Sequence, residues 1–456
     1  MKPYLPGYKL VVLDDDPTGV QTVHDVSVYT DWSLESIQSG FEEPEPLFFL
    51  LTNSRSFTEE QTRRAHTEIA ERVFQISRKT GIPYVIVSRS DSTLRGHFPL
   101  ETQVLRDTLE ELGEPPFDGE VLCPFFLEGG RVTIENIHYV KEKGGLIPAS
   151  ETEFARDKTF GYHFSDLRRY VEEKTGGKYP ASSVACISLD LLRSKSVEEI
   201  EKILLSASGF GKIVVNAEEY SDLHPFCEAL ASAVRRGKRY ILRSAASLVK
   251  VLGGVPDRHL LSGEELRGGE LGGGLVVAGS YTEKTTSQLK RLLTLPGTEA
   301  VALHSELVLE EGEGFAAECR RARRACEEIM SRGHTAVVYT DRRPLVREGD
   351  TPESSLLRSV RISEGLQSIV KELTRAPAFL VAKGGITSSY IAVKALGVRK
   401  ARVLGQLRPG IPVWRIGGES RFPGVPYVIF PGNVGEEDTL KEVVEAFGVS
   451  EGRVCG

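Results

Sequence analysis

The sequence lacks the features that would place it in a membrane, among disulfide-rich secreted proteins or on nucleic acid. No apolar run approaches the ~18 residues of a membrane span, and no signal-peptide core precedes Asp14. The six cysteines include no C-x-x-C pair, so reduced thiols are expected and zinc is disfavoured. The net charge of -7, with acids and bases interspersed, gives no nucleic-acid footprint. A cytoplasmic protein with neither nucleic-acid nor membrane partners is expected.

Four common catalytic or nucleotide-binding motifs are also missing. The chain has no G-x-x-x-x-G-K-[ST], no G-x-G-x-x-G after a strand, no H-E-x-x-H and no G-x-S-x-G. P-loop NTPases, ordinary dinucleotide-binding enzymes, zincins and serine hydrolases therefore lose support.

The length and the alternation of elements predict a two-domain α/β protein. The chain has 456 residues, which exceeds one ordinary core, and 40% of them are apolar. Strand-like and helical patterns alternate, which favours a mostly parallel sheet flanked by helices in each domain. A glycine-rich, charged stretch at residues 263–274 predicts a linker. The predicted domains are residues 1–262 and residues 275–456.

Three predicted strands of the N-terminal domain run into charged loops. The loops carry Asp15 and Asp16 after residues 9–13, Arg55 after residues 47–51, and Arg89, Asp91 and Arg95 around the end of residues 84–87. The carboxyl ends of parallel strands share one edge, so these side chains are expected to converge. The arginines can grip a carboxylate or phosphate, and an aspartate can accept a hydroxyl proton. The alternatives are structural ion pairs and, for the acidic loop, a solvated turn.

The C-terminal domain contains a stretch that is typical of a phosphate-binding loop. Lys383, Gly384 and Gly385 follow an apolar run, and Thr387 and Ser388 open a helical pattern. Glycines allow close approach of an oxyanion, while backbone N–H groups, hydroxyls and the lysine can complete its cradle. The alternative is an ordinary glycine turn. Two more strand ends carry similar residues, namely Gly279 with Ser280 and Gly432 with Asn433, and the three corners together predict a nucleotide site.

Taken in order, these blocks resemble the four-carbon acid sugar kinases, which phosphorylate threonate, erythronate and related acids with ATP. The resemblance covers essentially the whole chain. Its carriers are residues 15–19 (DDPTG), 54–55 (SR), 91–96 (DSTLRG), 130–131 (GR), 383–388 (KGGITS) and 431–435 (PGNVG). The DSTLRG and PGN blocks are the specific ones.

The resemblance implies an N-terminal acid-sugar domain, a C-terminal ATP domain and an active site in the interdomain cleft. Substrate contacts are expected from Asp15, Arg55, Arg89, Ser92, Thr93 and Arg95, and in the mechanism that we hypothesise either Asp16 or Asp91 accepts the hydroxyl proton. Nucleotide contacts are expected from Ser280, Lys383, Gly384, Gly385, Ile386, Thr387, Ser388, Gly432 and Asn433. ATP and Mg²⁺ are the expected cofactors, with metal ligands unassigned. A small sugar acid is the expected partner, and a homodimer is one assembly to consider.

Some positions depart from the family pattern, and two rival functions stay open. Pro17, Thr22, Arg89 and Ile386 replace residues common in relatives. Arg89 in particular presents a planar fork where a lysine presents a point charge, which leaves the identity of the acid open. One rival is a non-catalytic sugar-acid sensor. The other is a nicotinamide oxidoreductase, which the missing dinucleotide fingerprint disfavours.

Overall fold

The computed structural model describes residues 2–142, 144–266, 272–279, 282–310, 312–341, 352–432 and 434–448. The chain divides into two compact units, Met1–Asp257 and Arg258–Gly456. Each contains a mostly parallel sheet with helices packed on it, which confirms the predicted two-domain α/β class. Within the described ranges, no helix is both long and apolar enough to cross a bilayer.

The first unit alternates strands with helices along the chain. Its strands are β1 (Lys9–Asp14), β2 (Val26–Tyr29), β3 (Leu47–Leu51), β4 (Tyr84–Arg89), β5 (Gly119–Cys123), β6 (Arg131–Ile134), β7 (Ile137–Glu142), β8 (Gly145–Pro148), β9 (Ala185–Ile187), β10 (Gly211–Val215) and β11 (Tyr240–Ser244). Its helices are α1 (Leu34–Glu42), α2 (Glu59–Thr80), α3 (Leu100–Glu111), α4 (Leu167–Lys174), α5 (Leu189–Arg193), α6 (Val197–Ser206), α7 (Tyr220–Arg235) and α8 (Ala246–Leu252).

Strand β1 lies inside the main sheet of this unit, whose order is β2-β3-β1-β4-β11-β5-β10-β9. The pairings around β1 are parallel and in register, with Asp14 opposite Leu51 of β3 and opposite Arg89 of β4. Every residue of β1 is buried, as expected for a strand covered on both faces. The loops after β1, β3 and β4 therefore leave from the same edge. Strands β6, β7 and β8 form a separate antiparallel sheet.

Helix α2 shows how local sequence fixes an element of this unit. Thr58 and Gln61 form the capping box that their spacing predicts, and Gly81 ends the helix with φ +70°. Ile69 and Val73 lie one turn apart and pack against Phe48 in the core below the sheet. This packing fixes β3, and with it the loop that carries the predicted arginine.

The second unit has its own parallel sheet with an antiparallel extension. Its helices are α9 (Gly263–Leu266), α10 (Glu283–Leu292), α11 (Gly314–Ser331), α12 (Pro352–Lys371), α13 (Gly385–Tyr390) and α14 (Thr439–Glu445). Its strands are β12 (Leu275–Ala278), β13 (Thr298–Leu303), β14 (Thr335–Thr340), β15 (Leu380–Lys383), β16 (Lys400–Arg408), β17 (Ile411–Ile416) and β18 (Pro426–Phe430). The start of the predicted linker is thus the short helix α9, and residues 267–271 lie outside the described residues.

The order β13-β14-β12-β15-β18 is parallel throughout, and β17 and β16 continue the sheet in antiparallel fashion. β15 therefore lies between β12 and β18, although the chain separates the three strands widely. Their carboxyl ends bring together the corners that carry Gly279, the loop 383–388 and Gly432.

Candidate functional site

Arg55 contacts three aspartates at the carboxyl edge of the first sheet. Its Nη2 atom donates to Oδ1 of Asp15 at 2.7 Å, and its Nε atom donates to Oδ2 at 3.2 Å. Its Nη1 atom lies 3.5 Å from Oδ2 of Asp16 and 4.0 Å from Oδ1 of Asp91. Asn53, at φ +54°, turns the chain sharply after β3 and directs the arginine to this edge. One guanidinium thus links the loops after β1, β3 and β4.

Arg89, the last residue of β4, approaches the same acids from the neighbouring strand. Its Nη1 atom donates to Oδ1 of Asp14 at 3.1 Å and lies 3.6 Å from Oδ1 of Asp15. Ser90 donates to Oδ2 of Asp15 at 3.0 Å. The side chain of Asp15 is only 2% exposed. Its oxygens are therefore occupied by protein donors, and Asp15 holds the charged loops in place.

The loop after β4 closes on Asp91. The Nε atom of Arg95 donates to Oδ2 of Asp91 at 2.7 Å, and the Thr93 hydroxyl donates to the same oxygen. The loop needs left-handed backbone at Leu94 (φ +69°) and at Gly96 (φ +116°). A Cβ atom on Gly96 would lie 2.9 Å from the Ser90 hydroxyl, so only glycine fits there.

The carbonyl groups of the same loop are held from behind by three buried side chains. His138 Nε2 donates to Ser92 at 2.7 Å, Tyr162 to Thr93 at 2.8 Å, and Tyr170 to Leu94 at 2.9 Å. Burial lowers the pKa of His138 to about 4, so this imidazole is neutral at pH 7. His138 is therefore a positioning residue for the loop.

Arg243 and Glu101 belong to the same network but are not singled out by the sequence. Arg243 on β11 donates to Oε2 of Glu101 at 2.6 Å and to the Ser90 hydroxyl at 2.8 Å. Glu101 lies in α3 and accepts from the Ser54 hydroxyl at 2.6 Å. The one sequence feature that could have identified Arg243 is its position at the end of an apolar run. The predicted site residues after the other strands share this feature. No sequence pattern identifies Glu101.

Burial and ion pairing shift the pKa values of these groups in different directions. Burial raises the pKa of Asp14 to about 7, against the opposing charge of Arg89. Burial also disfavours the ionised form of Asp91. The charges of Arg55 and Arg95 and the hydrogen bonds from Arg95 and Thr93 overcome it and hold the pKa of Asp91 far below its usual range. Asp91 is thus a firmly ionised partner and a poor proton acceptor.

The structure brings together six of the eight predicted sugar-site residues in one ion-pair network: Asp15, Asp16, Arg55, Arg89, Asp91 and Arg95. Of the other two, Thr93 uses its hydroxyl on Asp91 and Ser92 is buried with its carbonyl bound by His138. Asp16 differs from Asp15, because its side chain is 19% exposed and its Oδ1 caps a short helix at the Thr18 N–H, 2.8 Å away. Of these aspartates, Asp16 is the most accessible to a ligand.

In the second unit, the predicted phosphate loop lies at the end of β15, between the ends of β12 and β18. The N–H of Gly384 donates to the carbonyl of Phe430 at 2.7 Å. Gly384 has φ +109°, and a Cβ atom there would lie 3.6 Å from the Thr387 hydroxyl. A Cβ atom on Gly279 would lie 3.0 Å from that same hydroxyl. Two glycines and one hydroxyl therefore lie close together at this corner.

Lys383 does not point toward solvent from this loop. Its side chain is fully buried, and its Nζ atom donates to the carbonyls of Pro431 at 2.8 Å and Gly432 at 3.0 Å. It also lies over the Phe430 ring, 4.2 Å from the ring centroid. Burial lowers the pKa of Lys383 to about 7, and the nearby charge of Lys284 contributes. Lys383 thus connects the loop after β15 to the loop after β18.

The remaining predicted nucleotide residues have varied positions. The Ser388 hydroxyl is buried and donates to the carbonyls of Ala382 at 2.9 Å and Gly384 at 2.8 Å, so it shapes the loop. Gly385 begins α13. Gly432 follows β18, with no atom within 4 Å of an added Cβ. Ser280, Asn433 and the side chain of Ile386 lie outside the described residues.

Among the described residues, one group of three could hold a metal ion. One ligand atom from each of His304, Glu306 and Asp341 lies within 4.8 Å of the others, beyond β13 and β14. A side-chain hydrogen bond with Asp341 raises the pKa of Glu306. Magnesium prefers an all-oxygen shell with several waters, whereas this donor set contains an imidazole. The group therefore does not fit the expected Mg²⁺.

Two family models match the chain, one on each unit. A model of a sugar-binding N-terminal domain matches residues 10–252. A model of a nucleotide-binding C-terminal domain matches residues 275–440. Together they cover both sets of loops described above. A search among curated proteins found no significant match.

Solved structures share the fold at low sequence identity. Haemophilus influenzae protein HI1011 is 18% identical, with a TM-score of 0.62, and the match covers 96% of this chain and 100% of that chain. A protein of Salmonella typhimurium LT2 is 15% identical, with a TM-score of 0.67 and coverage of 96% and 98%. At these identities the likeness shows the fold alone.

Proposed function

The chain belongs to the four-carbon acid sugar kinase family, and on that premise we propose that it is a kinase that uses ATP and Mg²⁺ to phosphorylate a hydroxyl of a small sugar acid, such as threonate, erythronate or a keto derivative. The observation that carries the proposal is the network of arginines and aspartates at the carboxyl edge of the first sheet. It lies in the part of the chain that the sugar-binding model matches. Open α/β sheets bind ligands at this edge.

A sugar acid presents a carboxylate and several hydroxyls, and the network offers partners for both. Guanidinium groups bind carboxylates through paired hydrogen bonds, and carboxylates accept from hydroxyls. Asp15 is enclosed by protein donors, whereas Asp16 is accessible. The network therefore holds a preformed set of charges, and the ligand would bind at its exposed margin.

Asp16 is the residue that we assign as proton acceptor. The pKa of Asp91 is far below its usual range because Arg55 and Arg95 stabilise its charge, and a base this weak accepts a proton poorly. Asp16 is more exposed and lies 3.5 Å from Arg55. Asp91 then keeps Arg95 in position.

For the nucleotide, the second unit supplies glycines, a hydroxyl and backbone groups. Thr387, Gly384 and Gly279 surround one spot in the domain that the nucleotide-binding model matches. Oxyanions are bound well by such backbone-lined corners. Bound Mg²⁺ would neutralise charge on the phosphates, and we expect it to arrive with the nucleotide rather than on a protein cage.

The test is ADP release with Mg-ATP across both threonates, both erythronates and their 2-keto and 3-keto derivatives. Turnover of one acid is the expected result and would name the substrate. Binding of an acid without ADP release would favour the sensor instead. Asp16→Asn should lower kcat by roughly a hundredfold or more, the usual contribution of general base catalysis, without changing the melting temperature. A normal kcat in that variant would remove Asp16 from the mechanism.

A further inference from the structure

Five arginines surround the carboxyl edge of the first sheet, and four of them already have protein carboxylates as partners. The closest contacts are Arg55 to Asp15 at 2.7 Å, Arg89 to Asp14 at 3.1 Å, Arg95 to Asp91 at 2.7 Å, and Arg243 to Glu101 at 2.6 Å. These four charges are balanced before any ligand binds. The fifth is Arg131, the first residue of β6.

Arg131 differs because no carboxylate of a described residue forms an ion pair with it. Its Nη1 atom donates to the carbonyl of Gly129, and its Nε atom is buried without a hydrogen-bond partner among the described residues. Burial lowers the pKa of Arg131, while the charge of Asp91 opposes that shift and the charge of Arg95 adds to it. Arg131 is therefore a partly buried cation beside the network, with a buried Nε atom and no ion-pair partner among the described residues.

The loop before β6 is shaped to hold this guanidinium. A Cβ atom on Gly129 would lie 2.6 Å from Nη1 of Arg131 and 2.3 Å from the Phe126 ring. Gly130, at φ +68°, would place a Cβ atom 2.8 Å from Cβ of Lys141. Two consecutive glycines thus leave the space that the arginine occupies and set the backbone that aims it.

A buried charge is costly unless it is paired, and proteins rarely keep one without a partner. We propose that Arg131 binds the carboxylate of the sugar acid and so selects acids over the corresponding neutral sugars. This assignment rests on the proposed function and deepens it. The ligand carboxylate supplies the counter-ion that the protein does not, while Arg55, Arg89 and Arg95 maintain the aspartates that face the hydroxyls.

The experiment compares wild type with Arg131→Gln, using the acid found in the panel and the tetritol that carries CH₂OH in place of its carboxylate. Removing one partner of a buried charge pair typically weakens binding by on the order of a hundredfold, so the KM for the acid should rise by about that factor. The kcat should change much less, because the hydroxyl and its proton acceptor are untouched. The activity on the tetritol should not fall.

The control is Arg168→Gln. Arg168 lies outside the network, forms an ion pair with Asp166 at a distance of 2.6 Å, and has a side chain that is 42% exposed. It should alter neither KM nor kcat. A second variant, Arg131→Lys, keeps the positive charge but lacks the planar guanidinium group. Its KM for the acid should lie between the values for wild type and Arg131→Gln.

A second readout does not depend on turnover. The acid, without ATP, should raise the melting temperature of wild type but not of Arg131→Gln, and ligand-free Arg131→Gln should melt no earlier than wild type because an unpaired charge has been removed. An unchanged KM and thermal shift in Arg131→Gln would overturn the role of Arg131 while leaving the kinase intact. A wild type that neither binds nor turns over any acid of the panel would overturn both.

Discussion

The two sheets arrange charge at their carboxyl edges in opposite ways. At the first edge, arginines and acids pair side chain to side chain, as Arg55 does with Asp15 at 2.7 Å. At the second edge, the fully buried Lys383 donates to the backbone carbonyls of Pro431 and Gly432. The first edge is thus built from long side chains and the second from backbone, glycines and hydroxyls. A small acid can be distinguished by placed side chains, whereas a phosphate chain is bound well by backbone.

The same contrast appears in the pKa values. Burial opposes the charge of Arg55, but Asp15, Asp91 and Asp16 together raise its pKa. Burial and the nearby charge of Lys284 lower the pKa of Lys383 to about 7, and no carboxylate of a described residue pairs with it. Charge pairing thus offsets the burial of Arg55 and Asp91 at the first edge, although burial still raises the pKa of Asp14, whereas the burial of Lys383 at the second edge is not offset by a paired carboxylate among the described residues.

Removing Asp15 is expected to have the largest effect. Asp15→Ala deprives Arg55 and Arg89 of their shared carboxylate, and breaking a buried ion pair in this way costs about 3–5 kcal/mol of unfolding free energy. Urea denaturation would measure it. The control is Arg168→Ala, which breaks a half-exposed pair with Asp166 while Asp166 still caps α4, and it should cost less than about 1 kcal/mol. Equal midpoints for the two variants would mean that the first edge is not held by its charges.

This network also shows which features of the first edge could be predicted from the sequence and which could not. The order of strand ends and the parallel topology predicted that Asp15, Arg55 and Arg89 would meet, because such ends share one edge. The sequence left open whether these arginines pair with protein acids or with a ligand, and the structure gives each of them a protein acid as partner. Glu101, which neutralises Arg243, lies on a helix, and the pairing depends on packing between elements far apart in the chain.

The second edge shows the same limit. The glycines and hydroxyls of the loop 383–388 form a sequence pattern that predicts a phosphate-binding loop. In the structure, Gly384 has the positive φ that such a loop uses. The direction of the Lys383 side chain could not be read from the pattern. It depends on where β18 ends, and the pairing of β15 with β18 joins segments about fifty residues apart.

A smaller effect is expected from changing backbone at the second edge. Gly384→Ala forces an alanine to φ +109°, which should cost about 1–3 kcal/mol, although the space around the position would admit a Cβ atom. The affinity for ATP should fall together with the stability, because the substitution would shift the loop. Calorimetric titration and urea denaturation would measure the two effects.

The matched control for this change is Gly418→Ala. Gly418 has no strained φ and no neighbour within 4 Å of an added Cβ, so the substitution should be nearly neutral. If both alanine variants bind ATP like wild type, the loop after β15 does not depend on the conformation of Gly384.

The smallest effect is a pH dependence that differs in sign between the two edges, because the contribution of Asp14 at the first edge, with a pKa raised to about 7, is lost as the pH rises, whereas that of Lys383 at the second edge increases. The pKa of Lys383 is about 7 in the folded protein and 10.5 in its ordinary state, so between these values the unfolded chain binds more protons than the folded one. The contribution of Lys383 to stability must then rise with pH in this window, by about 1 kcal/mol between pH 7 and pH 8. Below pH 7 the lysine is charged in both states, and the slope should flatten.

The methionine of Lys383→Met has a similar volume to lysine but no titrating group. The unfolding midpoint of this variant should therefore lack the rise with pH that Lys383 causes, while the contributions of other groups remain. The comparison is made as the difference between the two midpoints at each pH. The midpoint of wild type minus that of Lys383→Met should fall on lowering the pH from 8 to 7, because the buried amine of wild type then becomes charged. A difference that stays constant across this range would mean that the carbonyls of Pro431 and Gly432 compensate for the charge fully. The second edge would then be as well balanced as the first.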